Sequence, residues 1–343
     1  MIKKINKTPT MKDIAKVAGV TQATVSYVIN GSKEISGAVK KRVLDSAEEL
    51  GYIPNVVARN LKRRTSNTIG IIVPDVMNSY YNEMIKYTEK ITREKGYFTF
   101  ICNTMHNRDV EDWYIISLIQ QKVAGVIICY GLTNRGCYKK LNNHGIPFVA
   151  IDDETSDEES ENPCVLLNNI KGSFLVVQHF ISLGIKNIAY CSEPLYSIAI
   201  RDRYEGFKQA MKEFGLNIAE DMVYIAKEDN EYEKIELGYM ATKEILSKSK
   251  PKGIFAETDQ IAFGVIKRLL EMKIKVPQDI AVIGYDNVPF SSVISPSLTT
   301  INQPIMTMCI QGTDTLFKSI KKDVNIKKRI ILEPSIVVRE SAP

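Results

Sequence analysis

The chain has 343 residues, 44% hydrophobic and 25% charged, as in soluble globular proteins with room for two or three domains. No run of 18 apolar residues offers a membrane span, and Met1 to Met11 lacks the apolar stretch of a secretory signal. The net charge of +5 is unevenly placed, since residues 1–64 carry 13 Lys+Arg against 5 Asp+Glu and the rest 32 against 35, which joins a basic head suited to a polyanion to a slightly acidic body.

The head reads as three short helices. Thr10 with Asp13 three residues later forms a capping-box start, and Ile14, Val17 and Ala18 follow at helical spacing before Gly19 stops the run. Thr21 is placed to cap a second helix, Gln22 to Asn30, with Ala23, Val25, Val28 and Ile29 as its inner face and Gly31 as its stop. A third runs from Gly37 to Leu50 behind Ser36, with Val39, Val43, Leu44, Ala47 and Leu50 inward and Gly51 ending it. Two helices joined by a short Gly-containing turn make a helix-turn-helix. Its second helix would lie in the major groove with its N-terminal side chains toward base edges. Gln22 suits a bidentate pair with adenine, and Thr21, Thr24, Ser26, Tyr27 and Asn30 offer further polar contacts. Lys12, Lys16, Lys33, Lys40, Lys41 and Arg42 flank this face and suit phosphates.

Asp13-Ile14-Ala15, Ala18-Gly19-Val20, Thr24-Val25-Ser26, Asn30, Leu50-Gly51-Tyr52-Ile53-Pro54-Asn55 and Ala58-Arg59-Asn60-Leu61 resemble the lac repressor–galactose repressor family of bacterial transcription regulators, without gaps. That resemblance implies DNA contacts from Thr10, Thr21, Gln22, Ala23, Thr24, Ser26, Tyr27 and Asn30, and from Asn55, Ala58, Leu61 and Lys62 in a hinge. Tyr27 departs from the Arg frequent at its position, so a guanine contact there is not carried over. Pro54 favours extended backbone at Ile53, and Val56 to Lys62 spans only about two turns, too short to be helical alone. By resemblance this is a hinge helix whose Leu61 wedges between the central base pairs of the operator. Lys62, Arg63 and Arg64 add phosphate contacts.

From Thr68 onward, short β-branched runs alternate with amphipathic helices. Strands are expected at Ile69 to Val73, Phe98 to Cys102, Val126 to Cys129, Phe148 to Ile151, Ile188 to Cys191, Val223 to Ala226, Gly253 to Ala256 and Ile280 to Ile283, with a last one over Ile330 to Val338. This is βα alternation with parallel sheets, occurring twice, and ligands of such lobes sit at the carboxyl ends of the strands. The expected fold is an N-terminal all-α helix-turn-helix head and, by resemblance, a two-lobed α/β body of the periplasmic-binding-protein-like type with three crossings between lobes. Ile283-Gly284-Tyr285-Asp286 and Pro296 to Pro304 extend the resemblance to the end of the body. The expected division is 1–54 for the head, 55–66 for the hinge, 67–162 with 291–323 for the first lobe, and 163–290 with 324–343 for the second.

Polar residues just past strand ends are the pocket candidates: Asp75, Asn78, Tyr80 and Tyr81 after the first strand, then Asn103 and Asp152. The resemblance places Arg201 where family members hold an effector hydroxyl or carboxylate, and Asp259 as a sugar-hydroxyl acceptor, with Tyr232 as a lid contact. Arg203 reads as a scaffold ion pair. A carboxylate facing a guanidinium favours a polar, polyhydroxylated ligand. Seven acids between Asp152 and Glu161 read as a solvated loop, not a metal site. Asn168-Asn169 departs from the family's more frequent Asp-Asn, which puts in doubt the effector contacts or the lobe packing carried over there. The six cysteines form no C-x-x-C pair and read as reduced core thiols, so the expected compartment is the cytoplasm. Three dispersed histidines make no zinc set, and no dinucleotide, Walker or hydrolase motif is present. The expected function is a repressor, not an enzyme, that needs no cofactor, metal or membrane. It would act as a homodimer on a pseudo-palindromic double-stranded operator, with affinity set by a small sugar-like effector. A solute-binding receptor without DNA function is the alternative.

Overall fold

The computed structural model describes residues 9–31, 33–53, 66–154, 162–227 and 233–343. Two units divide the chain, Met1–Thr65 and Ser66–Pro343. In the first, α1 (Met11–Ala18), α2 (Gln22–Asn30) and α3 (Gly37–Glu49) enclose a small core. Ile14, Ala15, Ala18, Val25, Val28, Val43 and Ala47 are its buried apolar residues. The capping box forms as the sequence indicates, with the Thr10 backbone N–H donating to Asp13 Oδ2 at 2.8 Å. Gly19 makes the turn between α1 and α2 at φ +63°, the left-handed region that a side chain disfavours. Three expected inner-face residues point outward instead: Val17 and Leu44 are about half exposed (51% and 45%), and Ala23 is exposed. So small a core closes over one stripe of each helix, and the second apolar stripe stays in water. The expected hinge, with Asn55, Ala58, Leu61 and Lys62, lies outside the described residues.

The body strands are β1 (Thr68–Val73), β2 (Phe98–Asn103), β3 (Gly125–Ile128), β4 (Phe148–Ile151), β5 (Cys164–Leu167), β6 (Ile188–Ser192), β7 (Val223–Ile225), β8 (Gly253–Ala256), β9 (Ala281–Asp286), β10 (Thr299–Asn302), β11 (Arg329–Leu332) and β12 (Ser335–Val337). The first sheet has the order β11-β5-β4-β3-β1-β2, the second β12-β10-β9-β8-β6-β7. Their central strands are buried throughout, as both faces are covered by helices. All described pairings are parallel except β10 with β12, an antiparallel edge that the βα pattern does not indicate.

Strand pairing corrects the expected lobe boundaries. Cys164–Leu167, placed in the second lobe, pairs with β4 in the first sheet. Thr299–Asn302, placed in the first, pairs with β9 in the second. The single strand expected over Ile330 to Val338 splits at Glu333-Pro334 into β11 and β12, which belong to different sheets. The chain therefore crosses between lobes three times: after Leu167, after Asn302 and after Leu332.

The body helices are α4 (Ser79–Glu94), α5 (Arg108–Gln120), α6 (Gly136–Asn143), α7 (Asn169–Ser182), α8 (Ile198–Glu213), α9 (Lys234–Lys248), α10 (Asp259–Glu271) and α11 (Ile305–Ile320). Close approach of α9 and α10 depends on glycine. A Cβ on Gly264 would lie 1.9 Å from the Ile235 carbonyl oxygen, and one on Gly238 would lie 2.0 Å from that of Ile261. Because these obstacles are backbone, Gly264→Ala is expected to destabilise the body by about 1–3 kcal/mol, which urea denaturation of the full chain checks.

Candidate functional site

In the head, Thr21 caps α2: its Oγ1 accepts from the Thr24 N–H at 3.1 Å and lies 2.9 Å from Thr24 Oγ1. Thr10, Gln22, Ala23 and Tyr27 are exposed, while Thr24, Ser26 and Asn30 are half-buried. Asn30 also bonds within its own helix. Its Nδ2 donates to Ser26 O at 2.8 Å and lies 3.2 Å from Ser26 Oγ, so it closes the last turn of α2. The Lys33 ammonium lies 5.7 Å from the Tyr27 ring centroid. Lys12, Lys16, Lys40, Lys41 and Arg42 are exposed.

In the body, a polar cavity forms where strands of both sheets end. Its enclosed free space is about 50 Å³, and the rest opens to solvent. The first lobe contributes Tyr80 and Tyr81 at the start of α4, His106 after β2, Tyr130 after β3, and Asp152 after β4. The second contributes Glu193 and Tyr196 after β6, Arg203 from α8, Lys234 at the start of α9, Glu257 after β8, and Asp286 closing β9. Three of these lining residues have positive φ: His106 (+53°), Asp152 (+64°) and Asp286 (+118°). Non-glycine backbone there costs energy and is held only where surroundings enforce it.

Arg203 is the electrostatic centre of this cavity. Its Nη1 donates to Glu257 Oε1 at 2.8 Å and to the Glu257 carbonyl at 3.1 Å, and its Nε donates to Asn169 Oδ1 at 3.0 Å. Asp286 Oδ1 lies 3.6 Å from Nη1, and the guanidinium stacks 3.9 Å from the Tyr285 ring centroid. A second pair, Lys234 Nζ to Glu193 Oε2 at 2.5 Å, lies nearby. Tyr196 donates to Glu193 Oε1 at 3.0 Å. From the other lobe, Tyr80 donates to Gln303 Oε1 at 2.9 Å and lies 3.4 Å from Asp152 Oδ2. His106 packs edge-on against Tyr130 and Tyr196, each at 5.5 Å, which links the two lobes through aromatic contact.

Burial pushes the carboxyls upward against the pull of Arg203: Asp152 to about 6, and Glu257 and Asp286 to about 7. Burial and Lys234 lower His106. Since these folded carboxyls hold protons that the unfolded chain has released, the native state binds more protons between about pH 4 and 7. Their contribution to stability therefore falls as pH rises through that window. Thermal melts of the full chain should show the body transition falling between pH 5 and 7.5, less steeply in Glu257→Gln.

Of the pocket candidates, Asn78, Tyr80, Tyr81 and Asp152 line the cavity. Asp75 instead accepts from the Met77 N–H at 2.7 Å, and Asn103 ends β2 without lining the cavity. Arg201 does not line it; this side chain donates to the Leu195 and Tyr196 carbonyls at 3.1 and 3.2 Å. Asp259 is fully buried behind the site, accepting from Thr300 Oγ1, Ser291 Oγ and the Val288 N–H. Tyr232 lies outside the described residues. Arg203 forms the scaffold ion pair expected of it, with Glu257 and Asp286, but also lines the cavity; His106, Tyr130, Glu193, Tyr196, Lys234, Glu257 and Asp286 line it without having been singled out as pocket residues. A signal existed for Arg203: the buried positions Ala199, Ile200, Arg203, Gly206, Phe207 and Ala210 follow the helical period, and Arg201 does not. Glu193, Glu257 and Asp286 stand at strand ends, by the same rule that selected Asp152.

Comparison with known proteins bears on both units. Residues 10–55 match the family described as bacterial regulatory proteins, lacI family, and residues 177–342 match a periplasmic binding protein-like domain. The transcriptional repressor PurR of Actinobacillus pleuropneumoniae is 33% identical over 97% of this chain and 98% of its own. The ribose operon repressor of Escherichia coli is 33% identical over 97% and 99%. The lac repressor dimer bound to operator and the anti-inducer ONPF superposes with a TM-score of 0.86 at 24% identity, covering 98% of this chain and 99% of that one. With a third of its residues shared over nearly the full length of these relatives, the chain belongs to the lacI family of bacterial regulatory proteins, which are DNA-binding transcription regulators and not enzymes.

Proposed function

We propose that this regulator is a repressor that acts as a homodimer on a pseudo-palindromic operator in the cytoplasm, and that a small sugar-like ligand in the body cavity sets its DNA affinity. The observation that carries this reading is the polar cavity lined from both lobes. A ligand held by Tyr80 and Asp152 on one side and Arg203 on the other interacts differently with open and closed lobe arrangements. That difference is the only source of allosteric control. The ribose operon repressor among the relatives supports a sugar. Dimer formation is supported by an apolar surface on the first lobe: Phe98, Phe100 and Ile101 of edge strand β2, with Trp113 and Ile116 of α5, are exposed. Such a surface on an edge strand is normally covered.

The test measures operator affinity and sugar binding on the full chain and on residues 66–343. Removing the head should abolish DNA binding and leave saturable sugar binding in place, and the sugar should shift the full chain's operator affinity at least tenfold. A sugar that binds without moving DNA affinity contradicts the allosteric reading. Within the head, Gln22→Ala is expected to cost about 1–3 kcal/mol of specific affinity and to relax preference at one base pair of each half-site. Fluorescence anisotropy with variant operators checks this.

A further inference from the structure

We propose that the ligand of the cavity carries a protonated amine beside its hydroxyls, so that the site selects an amino-bearing sugar or polyol over its neutral and phosphorylated counterparts. This rests on the reading of the cavity as the effector site. Four carboxylates line it, Asp152, Glu193, Glu257 and Asp286, against two permanent cations, Arg203 and Lys234. Both cations are already engaged: Lys234 with Glu193, Arg203 with Glu257 and Asp286. Full ionisation of all six would leave two negative charges in excess where water screens them poorly, and burial already makes Glu257 and Asp286 hold protons up to about pH 7, a demand that a ligand cation meets instead.

A second observation places the missing positive charge. Among the described residues, Glu257 Oε2 and Asp152 Oδ1 are buried and have no hydrogen-bond partner, and both residues line the cavity. Glu257 itself is 0% exposed. An ionised carboxylate only accepts hydrogen bonds, and an acceptor left bare in a buried site is costly. A positively charged donor completes these acceptors and keeps Glu257 ionised, where burial alone drives it toward protonation. An ammonium supplies three N–H donors and offsets one negative charge. A hydroxyl supplies one donor and no charge, and a phosphate adds to the excess. Tyr80, Tyr81 and Tyr196 give the rest of the ligand aromatic walls.

The experiment is calorimetric titration of the full-length protein with matched triads: glucose, galactose and mannose, each with its 2-amino-2-deoxy analogue and its 6-phosphate. For each skeleton that binds, the amine is expected to bind at least tenfold more tightly than the neutral parent, and the phosphate not to saturate. Glu257→Gln and Asp152→Asn should each narrow the amine-to-neutral ratio at least threefold. A neutral parent that binds as tightly as its amine and shifts operator affinity overturns the amine preference alone and leaves the effector site standing. A phosphate that matches its parent does the same. Absence of binding by every triad overturns both.

Discussion

Replacing Arg203 with methionine is expected to destabilise the body by about 3–5 kcal/mol, the range for removing one partner of a buried ion pair, and to abolish the ligand-dependent change in operator affinity. Arg203 is 4% exposed and holds Glu257, Asp286, Asn169 and the Tyr285 face together. Methionine fills much of the volume but leaves Glu257 and Asp286 without their cation, so these carboxyls take up protons more readily. Urea denaturation gives the stability change, and anisotropy with labelled operator gives the response. Below about pH 6 the stability loss should shrink, because protonated Glu257 and Asp286 no longer need the guanidinium. An equal loss at pH 5 and pH 8 would mean that Arg203 acts by packing alone.

Asp259→Ala should cost about 3 kcal/mol of body stability while ligand affinity stays within about threefold of normal. The carboxylate opens α10 behind the N-cap Thr258, whose Oγ1 accepts from the Ile261 N–H. It accepts from Ser291 and Thr300 at 2.5 Å each and from the Val288 N–H at 2.9 Å. Removing it strands buried donors, each worth about 1–3 kcal/mol, and opens the packing of α10 on β9, where a Cβ on Gly284 would lie 2.4 Å from Asp259 Oδ1. Burial raises this group to about 6, consistent with a pinning role behind the cavity. A loss of ligand binding with stability intact would restore Asp259 to the pocket.

The sequence signals were strongest where local chemistry decides the outcome. Thr21 and Gly31 bracket α2 at its observed bounds, and the short apolar runs of β4 and β8 stand where the pattern puts them. Long-range pairing was not legible. Nothing local tells that Leu332 and Ser335, three residues apart, enter different sheets, or that Cys164–Leu167 returns to the first. Outward-facing Val17 and Leu44 were misread because apolar spacing alone does not tell which of two stripes a small core will cover. In the cavity, residues at the ends of β1 and β4 were found by the strand-end rule. Lys234 enters from the start of α9 and His106 from a positive-φ turn, positions that only the assembled lobes bring together. Arg201 was chosen over Arg203 by positional resemblance, where the helical period of α8 separates them.

The most direct test of the account is affinity selection of random duplex DNA on the full-length protein, with and without a pool of sugars and amino sugars, followed by sequencing. A ligand-controlled dimer enriches an inverted repeat about a flexible pyrimidine–purine centre, with enrichment that differs between the two conditions. Failure to enrich a repeat in either condition, or an identical repeat of unchanged affinity in both, would contradict it.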